Sequence, residues 1–556
     1  MKIKLLIITL LFSISSMAQK GVTATNGMVV SARKEASEIG VTIMKKGGNA
    51  FDAMVATELA LAVSYPVAGN IGGGGFMVFR LKDGTTGALD YREKAPKAAH
   101  RDMYLDTDGN VIKNQSRTGV LAVGVPGTIS GLFEVHKKFG SLPMEELIQP
   151  AIDLANKGVV VTDYQEGRIA NFNKRIILVN EKEVPVTANF KKGDSIKYKA
   201  LAKTLKRIRD NGKDEFYKGE TAIRLVEHIQ RNGGILNMQD LAEYRALWRK
   251  PVSFNYKEYT VTSMTLPSSG GICLAQLLNS VEPYNLKELK HNSSKYIQLL
   301  TEAERRSYAD RAYFLGDSDF VEVPIDTLIS KEYTKKRMSN FNWLQATPSK
   351  EIAHGKVIGF ESEETTHYSI VDPFGNAVSV TTTLNSAYGS KVYIDELGFF
   401  LNNQMDDFSV KPGTPNVYGL VGAEANAIAP EKRMLSSMTP TIVSKNDDLK
   451  MVVGTPGGST IITSVFQTIL NVLEFDMDMQ EAVSKSRFHH QWLPDTIRME
   501  PNGFSEEIIT RLEKIGYLID ESNFVIIGKV DAILVDAKGN FEAGADPRGD
   551  DAAVGF

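Results

Sequence analysis

The sequence predicts a layered α+β protein, and three features carry that prediction. A stretch two-thirds of the way along reads as strand, turn, strand, with one face mostly apolar and the other rich in hydroxyls. An early helix is apolar on most of its circumference, and short apolar strands follow tight turns. Faces of this kind are stable only when neighbouring layers of helix or sheet cover them.

At the N-terminus, Lys2 and Lys4 precede an apolar run from Leu5 to Phe12, and Ser16-Met17-Ala18 offers a signal peptidase its cleavage site. Residues 1–18 therefore read as a signal peptide, and the mature protein is expected to be periplasmic or secreted. The apolar run falls short of the roughly 20 residues that span a bilayer. The single cysteine, Cys273, stands far from the signal, so no membrane anchor is expected. One cysteine cannot form an internal disulfide, which leaves core burial to hold the fold. The 556 residues, 42% hydrophobic, can bury a large core, and length alone loosely bounds the chain at three or four domains. Removing the signal takes two of the 64 basic side chains and none of the 67 acidic ones, leaving 62 against 67 and a formal charge of −5. That balance carries no footprint for nucleic acid.

The spacing of Ile39, Val41, Ile43 and Met44 predicts a helix over residues 32–46, stopped by Gly47-Gly48-Asn49. A second, buried helix is predicted over residues 50–64. The run from Gly69 to Gly75 then feeds the apolar strand Phe76-Met77-Val78-Phe79. It lacks the spaced glycines of a dinucleotide fingerprint and the Gly-Lys-Ser/Thr of a P-loop, so close backbone packing is the reading. Asp106-Thr107-Asp108-Gly109-Asn110 resembles half of a calcium loop, but the twelfth position is Arg117 rather than an acid, and a plain turn is expected. Helical periodicity marks residues 148–156, 198–211 and 294–310 within a scaffold running from about residue 126 to 340. Residues 345–364 have the mixed Pro, Ser, Gly and charged content of an exposed linker.

Immediately after the linker comes the hairpin: residues 365–372, a turn at Pro373-Phe374-Gly375-Asn376, and residues 377–385. In the second strand Val378, Val380, Thr382 and Leu384 share one face, and Ser379, Thr381, Thr383 and Asn385 the other. A turn centred on Phe374 sets Thr365 opposite Thr383, and a bulge would shift that register by one. Taken alone, a threonine-rich strand reflects β-propensity.

The wider pattern is more specific. The run from Thr365 through Tyr388-Gly389 resembles the signature of the γ-glutamyltransferase family of N-terminal nucleophile hydrolases. So do Arg92-Glu93-Lys94-Ala95-Pro96, Asn402 to Phe408, Leu435-Ser436-Ser437-Met438, Gly454 to Ser459, Arg487-Phe488-His489-His490-Gln491 and Asp546-Pro547-Arg548, in family order over nearly the whole mature chain. The resemblance implies a four-layer αββα sandwich and self-cleavage between Glu364 and Thr365. A large chain of residues 19–364 and a small catalytic chain of residues 365–556 would form one intertwined domain. Glutathione is the implied donor, with water, amino acids or short peptides as acceptors.

The implied chemistry is coherent. A threonine hydroxyl needs a base beside it, and a chain-terminal threonine carries one in its α-amine, whose reference pKa is about 7.7 to 8.0. Thr365 is the implied nucleophile, Thr383 its hydrogen-bonding partner, and Gly457-Gly458 the oxyanion hole ahead of a helix that Ser459 is expected to cap. Arg92, with Ser436 and Ser437, is implied to hold the donor's α-carboxylate. Asp407, with Asn385 and Gln404, is implied to hold its α-ammonium. Outside the family pattern, Arg92 would read as a surface ion-pair partner and Asp407 as a cap. The segment from Lys411 to Gly419 resembles a lid over the donor pocket with Tyr418 at its tip. His489 and His490 are adjacent and come without a cysteine or carboxylate cluster, so no metal or other cofactor is expected.

Two other functions compete. An acylase of the same family acting on glutaryl side chains would have no ammonium for Asp407 to pair, and a secreted binding protein would have no use for the intact catalytic set.

Overall fold

The structure, a computed structural model, describes residues 21–352, 365–414, 422–521 and 526–556. Two seven-stranded antiparallel sheets lie face to face between layers of helix. The first sheet runs Ala552–Gly555, Met28–Ser31, Thr365–Val371, Ala377–Thr383, Gly74–Arg80, Thr86–Asp90, Leu247–Arg249. The second runs Thr23–Ala24, Phe541–Ala545, Asp531–Val535, Asp448–Gly454, Thr441–Lys445, Tyr259–Ser263, Val252–Tyr256. This is the αββα sandwich that the family resemblance implies. Strands from both sides of the 364/365 junction interleave in each sheet, so neither segment has a sheet of its own.

The buried helix spans Ala50–Ser64, as its composition predicts, with every residue buried. Asn49 and Asp52 close its N-terminus with a reciprocal capping box. The helix before it spans Lys34–Lys45, and the scaffold helices span Met144–Lys157 and Lys199–Asn211. The helix expected over residues 294–310 extends further, as Ser294–Phe314. Its charged residues hide the end from periodicity, because Glu302, Glu304, Arg305, Arg306, Asp310 and Arg311 are all buried. Most of these are paired, as Arg306 is with Glu302 at 2.6 Å.

Two expected turns take the predicted form. Asp106 Oδ1 accepts from the backbone N–H groups of Asp108 and Asn110, a plain side-chain-closed turn. In the glycine run, a Cβ on Gly73 would stand 2.1 Å from the Thr383 carbonyl oxygen, and one on Gly75 2.6 Å from that of Thr381. The glycines are there because backbone lies against backbone, and that approach seats the end of the hairpin.

The hairpin spans Thr365–Val371 and Ala377–Thr383 with no bulge. Val378 and Val380 join the helix-side core, while Ser379 Oγ donates to the Val453 carbonyl of the opposing sheet at 3.1 Å. Between the sheets His367 bridges Thr381 and Ser369, at 2.9 and 3.1 Å. Burial drives its pKa down to about 3, so the ring is neutral.

Candidate active site

The unbulged register sets Thr365 directly opposite Thr383, with their hydroxyl oxygens 3.4 Å apart. Beyond Thr383 the chain leaves the strand through Asn385 at φ +77°, a left-handed conformation that asparagine tolerates better than most residues. That turn directs the Asn385 N–H onto Thr383 Oγ1 at 2.7 Å. Thr383 is thus anchored by its own chain while it faces the first residue of the hairpin. Thr365 is 3% exposed, at the wall of a small pocket.

Thr365, Thr383, Asn385, Gln404, Asp407, Arg92, Ser436, Ser437 and Gly458 all line that one pocket. They come from six separate stretches of sequence. Arg92 is 1% exposed, which removes it from the surface ion pairs. Its Nη2 donates to Asp407 Oδ2 at 2.5 Å, so the two residues expected to read opposite charges of a ligand are paired with one another. Burial pushes the Asp407 carboxyl up to about 6 against the opposing pull of Arg92. Burial likewise pushes Glu93 up to about 8, which keeps that neighbour protonated at neutral pH. Neither polar atom of the Gln404 amide has a partner among the described residues, nor has Asp407 Oδ1. Of these, Gln404 Oε1 and Asp407 Oδ1 are acceptors of the kind an ammonium requires. Leu435, Met438 and Ile461 supply apolar wall between the charged end and Thr365.

Gly457 and Gly458 adopt φ of +136° and +53° ahead of the helix Thr460–Phe475. Gly458 lines the pocket, while Gly457 stands behind it as a helix-entry residue whose carbonyl accepts from the Thr460 N–H at 2.9 Å. The expectation that Ser459 caps this helix is corrected. Ser459 is the first residue before it but is itself helical, at φ −64° and ψ −30°, and makes no side-chain cap. Its hydroxyl donates instead to Gln491 Oε1 at 2.6 Å, and Thr460 Oγ1 donates to the Gly457 carbonyl at 2.8 Å. His489 and His490 are separately engaged, the first with Thr463 at 2.8 Å and the second with Asp495 at 3.3 Å. Among the described residues no cluster of three or more His, Cys, Asp or Glu could hold a metal.

The expected lid tip, Tyr418, lies outside the described residues, as does Glu364. One charged lining residue escaped sequence reading. Arg311, in the last turn of the helix Ser294–Phe314, reaches the pocket beside Ser437. It stands in a charge-rich helical stretch of the kind that ordinarily faces solvent, so nothing in its local sequence marks it.

An αββα sandwich in which a threonine opens an inner strand, faces a second threonine and lines a small pocket has the plan of an N-terminal nucleophile hydrolase. The particular family follows from comparison: the sequence model described as Gamma-glutamyltranspeptidase matches residues 36–556, and the chain belongs to that enzyme family. It is 45% identical over 540 residues to the glutathione hydrolase proenzyme of Escherichia coli strain K12, across 96% of this chain and 93% of that protein. Among solved structures it is similar to Helicobacter pylori gamma-glutamyltranspeptidase, with 43% identity and a TM-score of 0.57 over 58% of this chain and 94% of that one. Cephalosporin acylase from Bacillus halodurans shares the fold, with a TM-score of 0.84 over 97% of each chain at 24% identity.

Proposed function

We propose that this protein cuts itself between Glu364 and Thr365 and then transfers γ-glutamyl groups through a Thr365 acyl-enzyme, with glutathione among its donors and water, amino acids or short peptides as acceptors. Cleavage frees the Thr365 α-amine, which takes the hydroxyl proton as Oγ1 attacks the donor's γ-carbonyl. Thr383 holds the attacking oxygen in place. The negative charge that develops on the carbonyl oxygen is met by N–H groups at Gly457-Gly458, where the helix N-terminus favours an anion. Collapse of the intermediate expels the donor's amine with a proton returned by the α-amine, and an acceptor then attacks the ester in the same way. The α-carboxylate is held by Arg92, Ser436 and Ser437, and the α-ammonium by Asp407, Gln404 and Asn385. A zwitterionic donor entering the pocket meets the Arg92–Asp407 pair with its own charges reversed, so both ends gain a partner.

The observation that carries this reading is that Thr365 and a pair of opposite charges line the same pocket. It also separates γ-glutamyl donors from glutaryl ones, which bring a carboxylate and no ammonium for Asp407. The products would be a large chain of residues 19–364 and a small chain of residues 365–556, held together by their shared sheets. The signal-like N-terminus supports a periplasmic or secreted location for them, and among the described residues no helix is long and apolar enough to cross a membrane. The test is the intact mass of the purified protein together with turnover of a γ-glutamyl anilide. Two fragments meeting at 364/365 and release of the aniline are expected. A single uncut chain that is nonetheless active would overturn the mechanism.

A further inference from the structure

We propose that Arg311 is a positioning residue for the donor's α-carboxylate, acting through Ser437 and adding a second positive charge to that end of the pocket. The inference rests on the γ-glutamyl reading above and extends it to a residue outside the family motifs.

Arg311 is buried, at 5% exposed. Its Nε donates to Ser269 Oγ at 2.9 Å and its Nη2 to Ser437 Oγ at 3.1 Å. Among the described residues no carboxylate stands within ion-pairing distance of it, whereas Arg92 has Asp407 at 2.5 Å. A buried cation without a counter-ion is costly, and an arginine cannot escape that cost by losing its proton. With Glu93 held protonated by burial, the pocket contains two cations, Arg92 and Arg311, against one ionisable carboxylate, Asp407. Once Asp407 pairs a donor's ammonium, both arginines are left without an anion, and the donor's α-carboxylate supplies one at their end of the pocket.

The serines are set to receive that anion. Ser437 Oγ accepts from Arg311, and Ser436 Oγ accepts from the Met438 N–H at 3.0 Å. With a lone pair of each hydroxyl engaged by a fixed donor, each O–H is left to donate, which suits a carboxylate. Ser269, held by Arg311 Nε, donates through its own hydroxyl to the Ser436 carbonyl at 2.6 Å, so the same guanidinium also fixes the loop that carries both serines.

The test compares matured wild type, Arg311→Met, Arg311→Lys, Ser437→Ala and the Arg311→Met/Ser437→Ala double variant. The two donors are a γ-glutamyl anilide and the same anilide with its α-carboxylate masked as a methyl ester. Arg311→Met is expected to raise KM for the free-carboxylate donor about ten- to a hundredfold, the worth of a charge-assisted contact, with kcat little changed. For the masked donor kcat/KM should fall by less than about threefold. Arg311→Lys, which keeps the charge and loses the fork, should recover part of the affinity. If Arg311→Met does not mature, the lysine variant carries the same comparison with a several-fold rise in KM confined to the free-carboxylate donor. The double variant should be no worse than the worse single one, because the two residues act through one contact. Equal losses on both donors, or single effects that multiply in the double variant, overturn the inference. A wild type that turns over neither donor overturns the γ-glutamyl reading and the inference with it. A wild type that prefers the free carboxylate, with that preference intact in both Arg311 variants, overturns the inference alone.

Discussion

The two ends of the pocket are prepared in different ways. At the nucleophile end Thr365 and Thr383 are adjacent through strand pairing, and Thr383 is anchored by the backbone of its own chain two residues on. At the charged end Arg92 and Asp407, 315 residues apart in sequence, are joined side chain to side chain, and the Gln404 side-chain amide lines the same pocket with no partner among the described residues. The first end is rigid because ladder hydrogen bonds determine it. The second balances its charges internally, and under the proposed function it would exchange them for those of a ligand, so its energetics would depend on which ligand arrives.

Substitution at the rigid end should abolish function whatever the donor. Thr365→Ala is expected to leave one uncut chain and to lower turnover of every donor by at least about ten-thousand-fold, since a single oxygen both cuts the chain and attacks the substrate. Gel mobility and anilide release read both effects. Two-chain maturation of this variant would show that a separate protease does the cutting.

A change at the other end should be selective. Asp407→Ala is expected to mature and to lose about a hundredfold or more in kcat/KM for a γ-glutamyl anilide, because the donor's ammonium is then buried without a counter-ion. A glutaryl anilide should lose much less. Equal factors for the two donors would mean that Asp407 does not read the ammonium.

The support beneath the hairpin can be probed through stability. Gly73→Ala sets a methyl group against the Thr383 carbonyl and Asn70 Oδ1, at 2.1 and 2.7 Å, with backbone on one side that cannot swing away. A loss of roughly 1–3 kcal/mol is expected by denaturant titration, along with slower turnover as Thr383 is displaced. An unchanged midpoint would show that the sheet edge yields more readily than the geometry indicates.

The smallest effect is one of pH. Burial raises the Asp407 carboxyl from 3.8 to about 6, and its ionised form is the one that pairs an ammonium. As pH falls through about 6 the carboxyl takes up a proton, so kcat/KM for a γ-glutamyl donor should decline toward acid, up to about tenfold per unit. The decline should be absent in Asp407→Asn, whose lower rate should be flat over the same range. Persistence of the limb in that variant would assign it to another group, the Thr365 amine first.

Local pattern determined much of this protein. Alternation along residues 377–385 and the turn at Phe374 were enough to pair Thr365 with Thr383, because strand period and hairpin symmetry are properties of short segments. Apolarity on most sides marked the helix Ala50–Ser64 as buried, and the glycine run announced a close backbone approach whose partner was unspecified. The family resemblance supplied the sandwich and implied the roles proposed for Arg92, Asp407 and the two serines, none of which periodicity could yield. Only the tertiary structure decided that Arg92 and Asp407 pair with each other, that the Ser459 hydroxyl turns to Gln491 rather than capping its helix, and that Arg311 enters the pocket. The physical reason is shared by all three. Each depends on which distant side chain arrives within about 3 Å of a polar group once water has been excluded, and in a low-dielectric interior that neighbour outweighs any local preference.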